Sequence, residues 1–358
     1  MNARVERLQN FIKEQNFYGI FITDPSNVFY FSGFTGTGGD ASLLITTDAS
    51  YLLTDGRYTL QASTQCPDFV LLGTSSSDLS AVRELISTTA PCKIGFENRT
   101  ISYSIWKRLQ LELDTVTWIE VGDDCSSFRS VKEERELAII KNACNVSVQA
   151  LRETVPYIRA GVRENEIAAE LEYRMRKLGA SGVSFETIVA SGERSAMPHG
   201  TASSKKLQEG DAVTIDFGAM YQGYASDMTR TFFLGPPKEE LRLIYQAVYA
   251  AQQAAIDQFR PGMRCCDLDG VARKILQTAG YDRYFTHSLG HGVGIQVHEG
   301  LSVGRKSQHA ILPGMVFSIE PGVYVDGLGG VRIEDLVVAT QDGLEVLTKD
   351  FEKTLAIL

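Results

Sequence analysis

Four carboxylates and a histidine, scattered over the last 150 or so residues, have the types and settings to hold metal ions. The first sits in Val213-Thr214-Ile215-Asp216-Phe217, where alternation puts Val213, Ile215 and Phe217 on one face and Thr214 and Asp216 on the other. A glycine-bracketed loop, Gly218 to Gly223, leads into Tyr224-Ala225-Ser226-Asp227-Met228-Thr229-Arg230-Thr231, so a hairpin brings Asp227 beside Asp216. Like charges facing each other destabilise a sheet unless one is protonated, one is paired with a cation, or a metal ion sits between them. Neutralisation of Asp227 by Arg230, or splaying into water, would serve equally well, so the hairpin alone leaves the metal open.

Downstream lies His287-Ser288-Leu289-Gly290-His291-Gly292-Val293-Gly294, followed by His298-Glu299. Its glycines lack the Gly-x-Gly-x-x-Gly spacing of a dinucleotide loop, and no helical pattern follows. They suit close backbone approach around His291, leaving its imidazole open to a ligand or metal. Any one of these histidines could be a buried, hydrogen-bonded core residue; three so close together fit that reading poorly. Two more acidic strands follow, Val316-Phe317-Ser318-Ile319-Glu320 and Gly330-Val331-Arg332-Ile333-Glu334-Asp335. By the two-residue period Arg332 and Glu334 share a face, which a buried Arg–Glu pair would also explain. Asp216, Asp227, His291, Glu320 and Glu334 together form a hard, oxygen-rich set suited to two divalent ions, Mn²⁺ best, with Zn²⁺ or Co²⁺ as alternatives.

These residues need elements to position them. Val5, Leu8, Phe11 and Ile12 at helical spacing precede the β-rich Gly19-Ile20-Phe21-Ile22, and strands at 43–46, 51–54, 69–72, 93–96 and 118–121 alternate with helical patterns near 79–87 and 103–113. This is an α/β layer. A polar break at 122–127 and the charged start Lys132-Glu133-Glu134-Arg135 place a domain boundary there, giving domains 1–126 and 127–358. The second opens with a helix over 133–155, stopped by Pro156, and another over 164–178, stopped by Gly179. Strands carrying the acidic residues follow, with helices near 239–259 and 267–279, so this domain is α+β.

A length of 358 residues excludes a peptide hormone or disulfide miniprotein, and a net charge of −9 disfavours nucleic acid and anionic membranes as partners. No apolar run approaches the ~18 residues that span a bilayer, and Lys13 and Glu14 interrupt where a signal peptide needs an apolar stretch. Six cysteines without a Cys-x-x-Cys suggest reduced thiols and a cytoplasmic setting.

Residues 132–358 resemble the pita-bread metallopeptidase family that contains aminopeptidase P, prolidase and methionine aminopeptidase. The resemblance rests on Asp216-Phe217-Gly218, Ser226-Asp227-Met228-Thr229-Arg230-Thr231, His287 through Gly294, Ile319-Glu320-Pro321-Gly322 and Val331-Arg332-Ile333-Glu334-Asp335. The first 125 residues resemble the creatinase-type N-terminal domain of the Xaa-Pro subfamily, through Phe31-Ser32-Gly33-Phe34 and Thr54-Asp55-Gly56-Arg57-Tyr58. The implied fold is a pita-bread catalytic domain behind an α/β creatinase-type domain.

The resemblance implies that Asp216, Asp227, His291, Glu320 and Glu334 are the ligands of two ions, with Asp227 and Glu334 bridging. It implies that His199 and His298 line the substrate site, that His287 and Arg332 act behind it or on the substrate, and that Glu320 accepts the water proton. Two-metal hydrolysis of this kind needs no nucleophilic side chain. His287 and His298 are candidate donors to the oxyanion. An Xaa-Pro dipeptidase is the preferred reading and an Xaa-Pro aminopeptidase on longer peptides the alternative. Arg305 or Lys306 is a positional candidate for the substrate carboxylate. A non-catalytic pita-bread binding module and a metal-free creatinase-like amidinohydrolase are the more distant alternatives. The resemblance also implies a homodimer. One departure is Leu301, where relatives often carry proline.

Overall fold

In the computed structural model, which describes residues 2–36, 39–72, 79–87, 91–122 and 124–358, the chain divides into two units, Met1–Arg129 and Ser130–Leu358. The first unit is built on strands β1 (Gly19–Ile22), β2 (Ala41–Thr46), β3 (Ser50–Thr54), β4 (Val70–Leu72), β5 (Cys92–Phe96) and β6 (Val116–Glu120). They form one sheet in the order β4-β3-β2-β1-β5-β6, with β1 and β2, and β2 and β3, antiparallel and the other pairs parallel. Every residue of β1 is buried, as expected of a central strand covered on both faces.

Its helices are α1 (Ala3–Glu14), α2 (Pro25–Ser32), α3 (Thr59–Gln65), α4 (Ser80–Ile86), α5 (Tyr103–Glu112) and the short α6 (Asp124–Ser127). Helix α2 was not expected from the spacing of its apolar residues. Its ends explain it: the Asp24 carboxylate accepts from the Ser26 and Asn27 N–H groups, Pro25 opens the first turn, and Gly33 closes it at φ +75°. Helix α6 occupies part of the expected polar break; Asp123 of that break lies outside the described residues.

The second unit opens with α7 (Glu134–Thr154) and α8 (Glu164–Lys177). Glu136 accepts from the Glu133 N–H at 2.9 Å and Glu166 from the Arg163 N–H at 2.7 Å, so each helix start satisfies a preceding donor. Strands β7 (Gly182–Val183), β8 (Ile188–Ser191), β9 (Ala212–Phe217), β10 (Ala219–Tyr221), β11 (Tyr224–Ala225) and β12 (Met228–Phe233) follow. Helices α9 (Glu239–Gln258) and α10 (Cys265–Thr278) then precede β13 (Gly290–His291), β14 (Ser302–Val303), β15 (Val316–Ile319), β16 (Gly322–Val325), β17 (Gly329–Arg332), β18 (Asp335–Ala339), β19 (Leu344–Val346) and β20 (Ala356–Ile357).

Two apolar cores frame this unit. Leu151, Ile167, Leu171 and Met175 of α7 and α8 pack with Val213, Ile215 and Phe217 of β9. Ile244, Val248, Leu268 and Leu276 of α9 and α10 pack with Phe317, Ile319, Val331 and Val337. The alternation read in β9 is therefore real: its apolar face is buried against helices, which leaves Thr214 and Asp216 on the other side. Among the described residues no helix is long and apolar enough to cross a membrane.

Candidate metal centre

Hairpin β9–β12 carries the first two acids. Thr229, rather than Asp227, stands opposite Asp216, and Asp227 lies one residue before β12, on the same face and diagonal to Asp216. The hairpin expected from sequence is present with its register displaced by two residues. A Cβ on Gly218 would lie 1.9 Å from the Ser226 carbonyl oxygen, so only glycine permits this tight return next to Asp227.

His291 ends β13 and is drawn onto β15 by its own N–H, which donates to Ser318 Oγ at 3.1 Å. The Glu320 N–H donates to the Leu289 carbonyl at 2.8 Å, which brings Glu320 beside His291. A Cβ on Gly290 would sit 1.9 Å from the Ser318 carbonyl oxygen, so the glycine next to His291 serves close approach, as its sequence setting suggested. Glu334 lies between β17 and β18, where its N–H donates to the Thr229 carbonyl and its Oε2 accepts the Thr229 hydroxyl at 2.6 Å.

These segments converge. His291 Nε2 is 3.3 Å from Glu320 Oε1 and 3.5 Å from Asp227 Oδ2. Asp227, His291 and Glu334 offer donor atoms that all lie within 4.8 Å of one another, a spacing one cation can satisfy. His291 Nδ1 faces the Gly292 carbonyl at 3.3 Å; with the proton there, Nε2 presents a lone pair toward the carboxylates.

Arg332 organises the opposite wall. Its Nη2 donates to Asp216 Oδ2 at 2.6 Å, its Nε to Thr229 Oγ1 at 3.1 Å, and its Nη1 to Tyr324 Oη at 2.8 Å and the Pro198 carbonyl at 3.2 Å. Arg332 is thus paired with Asp216 and not with Glu334. The other oxygen, Asp216 Oδ1, is buried without a hydrogen-bond partner, and the nearby Thr229 hydroxyl has given its single proton to Glu334. An orphaned carboxylate oxygen beside three clustered acids fits a divalent cation.

The electrostatics agree. Burial lifts Asp227 and Glu334 well above the ordinary carboxylate range, and repulsion among the acids adds to it. Burial also raises Asp216 against the pull of Arg332. Burial pushes Glu320 up too, but the hydrogen bond and charge of His291, with His287 and Arg332, outweigh it and hold Glu320 at about 2. His291 is the converse: burial lowers it, and Glu320, the Gly292 carbonyl and Asp216 raise it overall. Without a metal, these acids therefore favour the protonated form of His291.

Arg230 pairs with none of these acidic side chains, although its Nη1 donates to the backbone carbonyls of Thr229 and Glu334. It points to the other face of β12, where Nη2 donates to Asp335 Oδ1 at 2.8 Å, and Lys353 Nζ sits 2.6 Å from Asp335 Oδ2. Neutralisation of Asp227 by Arg230, left open by the sequence, is not what the hairpin does. Adjacent acids diverge here: Glu334 turns to the centre and Asp335 to a buried structural ion pair.

A cavity of about 530 Å³ covers the centre, within the usual range for small-ligand sites. All nine expected site residues line it: Asp216, Asp227, His291, Glu320 and Glu334 with His199, His287, His298 and Arg332. His298 stacks obliquely on His291, ring centroids 3.8 Å apart, and burial together with His291 and His199 lowers its pKa. His287 is held at both nitrogens: the Ser288 carbonyl can only accept, so Nδ1 carries the proton at 2.8 Å, and Nε2 accepts from Tyr324 Oη at 3.0 Å. Burial favours the same neutral ring. Arg305 and Lys306 lie outside the cavity, in an adjoining cleft that shares His287, Ser288 and Ser302 with it.

Sequence reasoning missed Tyr324, which joins Arg332 to His287, and Thr229, which joins Arg332 to Glu334. Thr229 was findable, since the two-residue period puts it on the face of Asp227. Tyr324 was not: its placement depends on the pairing of β16 with β17, where Gly330 opposes it.

Residues 138–341 match the family model described as metallopeptidase family M24, and residues 4–131 match the creatinase/prolidase N-terminal domain. The chain is 38% identical to a Xaa-Pro dipeptidase of Pyrococcus furiosus over 98% of both chains. Among solved structures it is similar to a Xaa-Pro dipeptidase from Bacillus anthracis (TM-score 0.93, 37% identity, 99% of each chain). It is also similar to an X-Pro aminopeptidase from Thermotoga maritima (TM-score 0.90, 37% identity, covering 98% of this chain and all of that one).

Proposed function

The chain belongs to metallopeptidase family M24, with a pita-bread catalytic unit behind a creatinase-type N-terminal domain, and on that premise we propose that it hydrolyses the Xaa-Pro bond of dipeptides. The observation that carries the reading is the unpartnered Asp216 Oδ1 facing a group of acids and an imidazole in one cavity. The family implies a divalent metal; we take the number to be two and the metal to be Mn²⁺, with Zn²⁺ and Co²⁺ as alternatives. Asp216, Asp227, His291, Glu320 and Glu334 would hold the ions.

Bound there, such ions would supply a water acidic enough to lose its proton near neutral pH and a Lewis acid for the scissile carbonyl. The remaining chemistry belongs to the side chains. Glu320, which lies beside His291 with Oε1 3.3 Å from its Nε2, would receive the proton of the attacking water. His298, its pKa lowered, is neutral near pH 7 and keeps an N–H to donate to the developing oxyanion. His287, occupied at both nitrogens, acts through Tyr324, and Arg332 fixes Asp216. His199 lines the substrate side.

An Xaa-Pro bond has no N–H and a fixed φ near −65°, so a site that reads neither suits it. The relatives named Xaa-Pro dipeptidase support the dipeptide reading; the Thermotoga relative, named X-Pro aminopeptidase at similar identity, supports the alternative of longer peptides. Six free cysteines fit a reducing, cytoplasmic setting, and we extend the reading to a homodimer. The deciding experiment compares Ala-Pro with Ala-Pro-Ala after reconstitution with Mn²⁺. A kcat/KM clearly higher for the dipeptide supports the dipeptidase; equal or better cleavage of the tripeptide assigns the aminopeptidase.

A further inference from the structure

One buried carboxylate outside the metal set gathers the loop that carries His199. Glu164, the first residue of α8, is wholly inaccessible to solvent. Its Oε1 accepts from the Ser191 N–H at 2.8 Å and the Ser191 hydroxyl at 2.7 Å. Its Oε2 accepts from Arg194 Nε at 3.1 Å, the Ser203 N–H at 3.1 Å and the Ser203 hydroxyl at 2.5 Å. Ser191 ends β8 and Ser203 lies twelve residues on, so a single carboxylate ties together both ends of segment 191–203. Arg194 reinforces the tie by donating to the Thr201 carbonyl at 2.6 Å.

Between those ends, Pro198, His199 and Thr201 line the cavity. The segment's inner side is held to the metal wall, where Arg332 donates to the Pro198 carbonyl and the Gly330 N–H donates to Ser195 Oγ. Its outer side is held by Glu164, with Lys205 Nζ also donating to Ser191 Oγ at 2.8 Å and the Asn165 N–H to the Ser203 carbonyl at 3.0 Å. Five donors to one buried carboxylate form a network in which losing the acceptor leaves several donors unmatched.

We propose that Glu164 is a positioning residue that sets the place of His199 and Pro198 over the centre, and so governs peptide affinity without touching metal or peptide. This rests on the proposed peptidase reading. Its signature is separation of functions: the metal ligands come from other segments, so the ions and the chemical step stay intact while the substrate wall moves.

The test uses the Mn²⁺-loaded full chain and Glu164→Gln. The amide keeps the shape but offers one acceptor oxygen, so it can satisfy the Ser191 end or the Ser203 end and meets the other with its own N–H₂ donor. Amide hydrogen exchange over 192–203 is expected to speed about tenfold or more while α9 and α10 hold their protection. KM for Ala-Pro is expected to rise about tenfold with kcat within about threefold, and metal content per chain to stay at the wild-type value. Ser203→Ala, which removes one of the two donors at one end, shifts exchange and KM the same way by less and serves if Glu164→Gln does not fold. Unchanged exchange over 192–203, an unchanged KM, or a joint fall of kcat, metal content and melting temperature would overturn the proposal. A wild type that leaves both Ala-Pro and Ala-Pro-Ala uncut would sink the peptidase reading instead, and the exchange measurement would still decide whether Glu164 holds the segment.

Discussion

Arg332 grips one oxygen of Asp216 at 2.6 Å and leaves the other, buried, with no partner. A carboxylate fixed on one side and open on the other is aimed, and what it is aimed at must be a donor or a cation. Removing the guanidinium in Arg332→Ala should free Asp216 to rotate and lower Mn²⁺ affinity about 10–100-fold, as for other residues that support metal ligands. Arg332→Lys keeps the charge and loses the fork to Tyr324 and Pro198, so it should recover part of the metal affinity and little of the turnover. Calorimetric titration with Mn²⁺ checks both; wild-type affinity in Arg332→Ala would remove Arg332 from this role.

Glycine at 290 should be as important as a ligand. In Gly290→Ala the new methyl would meet the Ser318 carbonyl at 1.9 Å and force β13 away from β15, carrying His291 off Glu320. All five ligand candidates remain in the sequence, yet metal content and hydrolysis should both fall to a few per cent or less of wild type, roughly the effect of a misplaced catalytic group. Metal analysis of the purified variant tests this, and full loading would show that the close approach is dispensable.

Acidity should couple to the metal with a definite sign. Asp227, Glu334 and Asp216 have pKa values raised by burial and by one another, so in metal-free protein the folded state binds more protons than the unfolded chain above about pH 4. Their contribution to stability is present at lower pH and lost as pH rises through their raised values; His291, raised overall, adds the same trend, His287 and His298, both lowered, oppose it on the acid side of neutrality, and Glu320, lowered, acts only at more acid pH. Chelated protein should therefore lose melting temperature as pH rises from about 5 to 8, and the increment restored by Mn²⁺ should grow over that window. Thermal scans at matched pH with chelator and with Mn²⁺ measure it; an increment that shrinks with pH would contradict the electrostatics described here.

The buried pair behind the centre should matter first for folding. Arg230 and Asp335, 2% and 0% exposed at their side chains, are joined by Lys353 and Gln252, and burial of Asp335 is outweighed by Arg230 and Lys353, which hold its pKa far down. Arg230→Ala leaves the buried Asp335 carboxylate with Lys353 as its remaining cation and should cost up to about 3–5 kcal/mol. Denaturant unfolding reads the loss; a change below about 1 kcal/mol would mean that Lys353 suffices.

Much of this was legible from residue type and period. Alternation in 213–217 identifies the strand and the face of Asp216, and the same period puts Arg332 and Glu334 on one face, because a strand buried on one side must segregate apolar from polar residues. Helices α7, α9 and α10 announced themselves by spacing and stops. Register was not legible: whether Asp227 or Thr229 opposes Asp216 depends on the turn at Gly218–Gly223, which alternation does not encode. Helix α2 was hidden because its apolar residues do not follow helical spacing, although Asp24-Pro25 and Gly33 marked both its ends. The roles of Tyr324 and Glu164 depend on contacts between distant segments, and nothing local in either neighbourhood pointed to them.

The most direct measurement counts metal against hydrolysis in one preparation. Wild-type chain dialysed against Mn²⁺ should carry about two ions and cleave an Xaa-Pro substrate, and Asp227→Ala, folded by circular dichroism, should lose both the ions and the cleavage together. Undiminished cleavage by chelated protein with no detectable metal would contradict the metal centre outright.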